Sequence, residues 1–338
     1  MRNELATRTG ETALDRAHRW QNPQERKREA ARALRDRDHE TLGDLFRAYV
    51  ADARGQEPSR HTVAAYARGM TDLLTWAEAG NAEGRLAHQL TREDAQGFRL
   101  WLTQAGGRPR PGEPVGTRHP LAPGSANLRL AAARQFCEAL LWAGLADANP
   151  FGKLRNVRDP QDPASKRDPF APDELDALLA VADRRERVVI LLAADGGLRL
   201  AEAAGLTWAD VDLARGRMWV FGKGAKREWV ALSDRLAQAL SGIGPLPPEA
   251  RVLNVSPRRI QAILARLCQK AGIGRRGYHS LRHTAACGLY RRTHDLGVVQ
   301  RHLRHAHLDT TRIYAALDDD RYSEAVTALG EARTPAAA

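Results

Sequence analysis

Several features that would place a chain in a membrane or outside the cell are missing from this sequence. It has no run of about 18 to 20 apolar residues, so we expect no membrane span. Its first residues, Met1-Arg2-Asn3-Glu4, lack the apolar core of a secretory signal. The cysteines Cys137, Cys268 and Cys287 are widely spaced without a CxxC motif, which does not indicate a disulfide framework. We therefore expect a cytoplasmic protein whose cysteines are buried as small hydrophobic side chains.

Acidic residues are fewer than basic ones. The 338 residues include 52 Lys and Arg against 41 Asp and Glu, which gives a net charge of +11. An excess of this size attracts polyanions and predicts salt-dependent nucleic-acid binding, although a surface that is merely basic is the alternative. Aromatic residues make up only 6% and β-branched residues are sparse, which favours helix over sheet. The chain is long enough for two domains, each with its own core.

Changes in composition divide the chain into three parts. Residues 1–40 are densely charged with almost no apolar stripe after residue 24, so a short helix capped by Asn22-Pro23 should not pack stably there. Residues 41–155 show helical periodicity and predict a compact helical domain. Residues 156–338 begin in a proline-rich linker and predict an α-rich domain. The expected fold class is therefore mainly α.

The last part also contains the only convincing strand patterns. Residues 217–221 and 228–232 predict a small antiparallel β-sheet, with Lys223 in the turn between two glycines. Ser256-Pro257 is a strong signal for the start of a helix. Because one face of that helix is basic and the other apolar, it could lie in a major groove or be ordinary solvated surface.

Six arginines on the polar faces of predicted helices are candidates for contact with DNA. They are Arg60, Arg68, Arg129, Arg134, Arg258 and Arg259. For any one of them, an ordinary solvated position is the alternative interpretation.

A second group of residues suits attack on a phosphodiester without a metal. It comprises Arg199, Lys223, His279, Arg282, His305 and Tyr314, and it includes no obligatory carboxylate. Arginine stabilises the negative charge that develops on phosphate oxygens, because its planar guanidinium donates two parallel hydrogen bonds and stays protonated. A tyrosine hydroxyl needs such a cationic surround to act as a nucleophile. We expect Arg199 to follow the Gly-Gly end of a helix and Arg282 to lie in a turn before another.

The histidines of the last third also suggest a zinc site. They are His279, His283, His302, His305 and His307. Arg282, Arg301 and Arg304 are interleaved with them and would repel a divalent cation, while no carboxylate or cysteine compensates. We therefore expect no metal.

The joint pattern resembles the tyrosine recombinase (phage integrase) family, particularly its bacterial Xer-like members. Five family boxes occur in order, at residues 197–203, 223, 279–283, 298–305 and 308–314. They read GLRLAEA, the hairpin lysine, HSLRH, VVQRHLRH and LDTTRIY. The resemblance covers about residues 41–325 and implies a helical core-binding domain followed by a catalytic domain.

The resemblance also implies roles for individual residues. Tyr314 would attack the scissile phosphate and form a 3′-phosphotyrosyl link, while Arg199 and Arg282 clamp the phosphate. Lys223 would protonate the leaving 5′ oxygen. Because the covalent bond stores the phosphodiester energy, neither ATP nor any cofactor is implied.

The resemblance also implies roles for two histidines, and the sequence departs from the family pattern at two positions. His279 would assist proton transfer, and His305 would hydrogen-bond the phosphate. Arg304 stands where the family usually has glycine, which would serve there as a left-handed helix cap. Gly196 replaces the usual threonine of the first box.

The family further implies double-stranded DNA with a specific recombination site as partner, and a synaptic tetramer that passes through a Holliday junction. Residues 320–332 would dock on a neighbouring protomer, and whether a second recombinase shares the tetramer is left open. Such an enzyme would be associated with the nucleoid. A type IB topoisomerase and an inert sequence-specific DNA-binding relative are the alternatives.

Overall fold

The structure is a computed structural model. It describes residues 20–55, 60–108, 113–114, 116–160, 168–221, 227–244 and 246–304. The chain divides after Pro160 into two compact units, whereas the sequence predicts a division between residues 155 and 156. Within the described ranges, no helix has both the length and the apolar character that a membrane crossing requires.

Five α-helices lie in the described part of the first unit. They are α1 (Pro23–Arg35), α2 (His39–Arg54), α3 (Arg60–Trp76), α4 (Arg92–Ala105) and α5 (Pro123–Trp142). A π-helical turn, Ala77–Asn81, follows α3, and a 3-10 turn, Ala87–Gln89, precedes α4. Helices α3 and α5 approach closely because Gly69 lies against Ala132, where an added Cβ would collide. The buried rings of Phe98 and Phe151 meet edge to face in the core of this unit.

The segment before residue 40 differs from its prediction. Asn22 caps α1 as expected, and its side chain accepts a hydrogen bond from the Gln24 N–H at 2.9 Å. The helix nevertheless packs: Trp20 and the small residues on one face of α1 are buried in the helical core. Arg26 lies 3.8 Å above the Trp142 ring, so its apolar stem and cation add a further contact. The expectation that this segment would not pack is therefore wrong for residues 20–35.

The described part of the second unit contains seven α-helices and three strands. The helices are α6 (Pro172–Val181), α7 (Arg184–Ala194), α8 (Leu200–Gly205), α9 (Asp234–Ser241), α10 (Pro257–Lys270), α11 (Tyr278–Thr293) and α12 (Leu296–Leu303). The strands are β1 (Val211–Asp212), β2 (Arg217–Phe221) and β3 (Arg227–Ala231), in the order β1-β2-β3. A 3-10 turn, Trp208–Asp210, precedes β1.

The sheet is antiparallel, and its register follows the apolar pattern. Met218 pairs with Val230 and both side chains are buried, whereas the Trp219–Trp229 pair lies on the opposite face. The mainly α fold with a small antiparallel sheet is confirmed, and β2 has the predicted bounds.

Several local signals in the sequence also have the predicted structural effect. Ser256 caps α10, and its hydroxyl accepts from the Arg259 N–H at 3.2 Å. Helix α5 begins at Pro123, because proline is favoured in the first turn. All three cysteines are buried, as expected.

Candidate active site

The site begins where α7 ends, at a turn built on two glycines. Gly197 has φ +60°, and a Cβ there would lie 2.9 Å from Leu303 Cδ2. Gly196 is equally enclosed, because a Cβ there would lie 2.8 Å from the Leu192 carbonyl oxygen. The close packing and the left-handed conformation of Gly197 leave no room for a side chain. The turn thus brings the Gly197 carbonyl against α12.

Arg199 follows this turn, as predicted, and is the N-cap residue of α8. Its N–H donates to Glu202 Oε2 at 2.8 Å, and its Nη1 donates to Glu202 Oε1 at 2.7 Å. The Arg199 side chain is 41% exposed. One carboxylate therefore fixes both the backbone and the guanidinium of an accessible arginine.

Arg282 lies within a helix and not in a turn before one. Helix α11 begins directly after Gly277, so the whole HSLRH box is helical. The Arg282 side chain is only 1% exposed, and its guanidinium donates to the carbonyl oxygens of Gly197 and Leu303. The predicted turn is thus wrong, because Arg282 lies inside α11 and its guanidinium is held by two backbone carbonyl oxygens.

Glu202 lies at the centre of this cluster and was missed by the inventory of cationic groups. Its side chain is 8% exposed, and it contacts guanidiniums from three parts of the second unit. Burial alone would raise its pKa, but the charge of Arg304 and the hydrogen bonds from Arg199 outweigh this and hold the pKa below its ordinary value. The signal was present in the sequence, since an acid three residues after an N-cap is typical of a capping box.

Arg304 ends α12 in the left-handed conformation, with φ 55° and ψ 47°. This is the backbone that the sequence predicts for a glycine cap at this position. Its side chain is 1% exposed, and Nη2 donates to Glu202 Oε2 at 2.8 Å and to the Gly197 carbonyl at 3.2 Å. A third guanidinium therefore joins Arg199 and Arg282 around Glu202.

Three histidines of the last third lie near these arginines or on the same helices. His302 contacts the Asp195 carbonyl through Nε2 at 2.7 Å. Burial, with the charges of Arg304 and Arg282, lowers its pKa and favours a neutral ring that donates this bond.

His279 is exposed at the start of α11, and its ring meets that of buried His283 edge to face at 4.5 Å. The described residues contain no group of three or more potential metal ligands.

Three predicted catalytic residues, Lys223, His305 and Tyr314, lie outside the described residues. The strands that flank Lys223 carry an exposed face of cations and rings. Arg227 lies 4.7 Å from the centroid of the Trp219 ring, and Arg301 of α12 lies 5.1 Å from that of Trp229.

The six candidate DNA contacts fall into different environments. Arg68, Arg258 and Arg259 are exposed, and Arg60 begins α3. Arg134 instead donates to the carbonyl oxygens of Phe151 and Leu154, both at 3.0 Å, and Arg129 pairs with Asp72 at 2.7 Å. Since Arg129 and Arg134 are engaged within their own unit, their guanidiniums hold the helical fold together.

Comparisons with known proteins show which family the chain resembles. The phage integrase family matches residues 169–321. A tyrosine recombinase XerC of Xylella fastidiosa (strain 9a5c) is 32% identical over 297 residues, which cover 82% of this chain and 92% of the relative. XerC of Neisseria meningitidis serogroup C (strain 053442) is 30% identical over 292 residues, covering 81% and 91%.

Solved structures show the same fold. The XerH site-specific recombinase bound to palindromic difH substrate is 21% identical, with a TM-score of 0.57 over 85% of this chain and 84% of that one. The Tn1549 transposon integrase in complex with a circular intermediate DNA is 16% identical, with a TM-score of 0.58 over 83% and 99%. The chain belongs to the tyrosine recombinase family, whose members are DNA strand transferases of site-specific recombination. Neither the topoisomerase nor the inert DNA-binding alternative is favoured.

Proposed function

We propose that this enzyme cuts and rejoins DNA at a specific site through a 3′-phosphotyrosyl intermediate on Tyr314. One observation carries the proposal: Arg199 and Arg282, which are distant in sequence, lie close to the same carboxylate, that of Glu202. Arg282 also donates to the carbonyl of the Gly197 turn, which directly precedes Arg199. Two guanidiniums that meet at one turn are suited to the non-bridging oxygens of one phosphate.

The proposed step is an in-line displacement at phosphorus. The Tyr314 hydroxyl oxygen bonds to the scissile phosphorus as the bond to the 5′ oxygen breaks, and Lys223 gives that oxygen a proton. The tyrosine proton passes to a nearby base, a role for which His279 is the candidate. The reverse attack, by the 5′ hydroxyl of another strand, releases Tyr314 and restores a phosphodiester. The number of phosphodiester-type bonds is unchanged, so the exchange requires no ATP.

Arg199 and Arg282 have different roles in this proposal. Arg199 is the accessible one, and its guanidinium can turn toward an incoming phosphate while its N–H stays on Glu202. Arg282 is buried against two carbonyl oxygens and supplies fixed positive charge beneath the phosphate. His305 would donate a hydrogen bond to the same phosphate.

The partner in this proposal is double-stranded DNA with a specific recombination site. XerH and the Tn1549 integrase were each solved with DNA substrates or intermediates, which supports a DNA partner. Exposed Arg68, Arg258 and Arg259, with Arg60, are the proposed phosphate or base contacts. Two cut duplexes require four cleaving protomers, so we propose a tetramer that passes through a Holliday junction. The proposed location is the cytoplasm, in association with the nucleoid.

The test is covalent trapping on a nicked duplex. A site is first selected by binding from a pool of random duplexes, then nicked near each possible cleavage position so that the cut fragment diffuses away. Wild-type protein should give a denaturant-resistant protein–DNA adduct and Tyr314→Phe should give none, while the matched Tyr290→Phe control on α11 should match wild type. An adduct that persists in Tyr314→Phe would reject the nucleophile.

Substitution of the accessible clamp residue provides a second test. Arg199→Ala should bind the selected site but lose most cleavage, by about 100- to 1000-fold, because one preorganised donor to the transition state is gone. Gel-shift affinity and single-turnover cleavage separate the two effects. Loss of binding together with cleavage would mean that Arg199 has a structural role instead.

A further inference from the structure

The arginine that replaces the expected glycine before His305 is integrated into the site. Arg304 adopts the left-handed backbone of a helix cap, a conformation that costs energy for any residue with a Cβ. An arginine tolerated at such a position would be expected to extend into solvent. Instead its side chain is 1% exposed. Contacts within the site must therefore stabilise the buried position of the Arg304 side chain.

The contacts of the guanidinium identify what it holds. Nη1 donates to the His302 carbonyl at 2.9 Å, and Nη2 donates to Glu202 at 2.8 Å and to the Gly197 carbonyl at 3.2 Å. These acceptors lie on two separate segments. His302 is at the C-terminal end of α12, whereas Gly197 and Glu202 lie in the turn before α8 and in α8 itself. Arg304 thus ties these two segments together.

The same two acceptors are used by the proposed phosphate clamp. Glu202 Oε2 also accepts the Arg199 N–H at 2.8 Å, and it lies 3.9 Å from Arg282 Nη1. The Gly197 carbonyl also accepts from Arg282. Arg304 therefore bonds the groups that set the position of both other arginines, while its own burial keeps it from the phosphate in this arrangement.

We propose that Arg304 is a third active-site arginine, a positioning residue that holds Glu202 and the Gly197 carbonyl and so fixes Arg199 and Arg282. The proposal rests on the proposed function, since it is the phosphate clamp that Arg304 positions. Its guanidinium occupies the Glu202 oxygen that Arg282 approaches without bonding. Without Arg304, Arg282 would turn toward that oxygen and away from the carbonyl oxygens of Gly197 and Leu303.

The size of the effect follows from the geometry of phosphoryl transfer. A displacement of about 1 Å in a catalytic donor can lower the rate by about 100-fold. We expect Arg304→Gly to lower single-turnover cleavage by about 10- to 100-fold with little change in DNA affinity. Arg304→Lys should recover part of this rate, because it restores a cation but not the fork that bridges Glu202 and Gly197.

The experiment measures cleavage of the nicked substrate and gel-shift affinity for wild type, Arg304→Gly, Arg304→Lys, Glu202→Gln and the double variant Arg304→Gly/Glu202→Gln. If Arg304 acts through Glu202, the double variant should cleave no more slowly than the slower single variant. Arg304→Gly restores the usual residue of the family and relieves the strained backbone. If Arg304 were merely tolerated, Arg304→Gly would cleave at or above the wild-type rate. That result would overturn the proposal.

Two readouts separate this inference from other failures. A wild-type protein that forms no covalent adduct would reject the proposed function itself, whereas an adduct formed equally well by Arg304→Gly rejects only the role of Arg304. Circular dichroism reports whether each variant is folded. Should Arg304→Gly not fold, the decision passes to Arg304→Lys, for which an unchanged cleavage rate contradicts positioning by the fork.

Discussion

Among single residues, Glu202 contacts all three arginines of this site. It is a buried carboxylate whose charge is balanced by Arg199, Arg304 and, at longer range, Arg282. An uncompensated buried charge is far more costly than a buried pair, so removal of the carboxylate leaves several guanidiniums partly uncompensated. This dependence has a definite sign with pH.

The pH prediction concerns Glu202→Gln. The folded pKa of Glu202 lies below the ordinary value of 4.5, so its ionised form stabilises the fold above that pH, and the contribution is lost as pH falls through the folded pKa. We expect the variant to be less stable by about 3 kcal/mol at neutral pH, with the difference shrinking below about pH 4.5. Urea unfolding at a series of pH values measures it. The exposed Glu249→Gln should follow wild type throughout, and a pH-independent difference would contradict the argument.

A second prediction at this scale concerns the Gly197 turn. Gly197→Ala would force a Cβ into a left-handed backbone and against Leu303, so we expect a loss of about 1 to 3 kcal/mol. Cleavage should fall as well, because the carbonyl of this residue accepts from Arg282. Thermal unfolding and the trapping assay measure the two effects. Gly205→Ala is the matched control, since nothing lies within 4 Å of its Cβ position; equal losses in both variants would refute the argument.

At the scale of elements, the helix-start signals at Asn22-Pro23 and Ser256-Pro257 correctly predicted the caps of α1 and α10, and a further cap shows why. Thr91 caps α4 in a reciprocal box with Asp94, whose carboxylate accepts the Thr91 N–H at 2.8 Å. Such signals are reliable because the hydrogen bonds of a cap are made to residues about three positions away in the sequence. They therefore do not depend on the tertiary structure. The packing of α1 was mispredicted for the opposite reason: it depends on Trp142, which is distant in sequence.

The prediction at this scale is that Thr91→Ala lowers the stability of the first unit by about 1 kcal/mol, the usual loss for an N-cap. Thr103→Ala is the control in the same helix, because the Thr103 hydroxyl only donates back to the Leu100 carbonyl at 2.8 Å. Urea unfolding compares the two. Should both variants lose the same stability, the cap contributes nothing of its own.

For the whole molecule, the net charge of +11 is the property that matters most for binding a duplex. Part of that charge is used internally, as Arg129 and Arg134 illustrate, and only exposed cations release counterions from DNA. The exposed Arg258 and Arg259 begin α10, whose other face is buried in the second unit. They are therefore available to a duplex without loss of core contacts.

The prediction for the whole molecule concerns salt. The double variant Arg258→Gln/Arg259→Gln should bind the selected site more weakly, and its plot of log affinity against log salt should be shallower by about 2. Fluorescence anisotropy over a range of salt concentrations gives the slope. Arg215→Gln is the control, because that arginine pairs with Asp212 at 3.2 Å. An unchanged slope in the double variant would remove these residues from the interface.

The order of the boxes, the helix caps and the alternation in β2 are written locally, so the sequence by itself determined the family, the fold class and most of the cationic residues. It could not show that Glu202 lies at their centre, that Arg282 is helical, or that Arg304 points inward. Those outcomes depend on the backbone carbonyls that each guanidinium can reach. These carbonyls are brought together where the ends of α7 and α12 approach α11. Tertiary structure alone decided them, because a buried charge goes where partners from distant segments can compensate it.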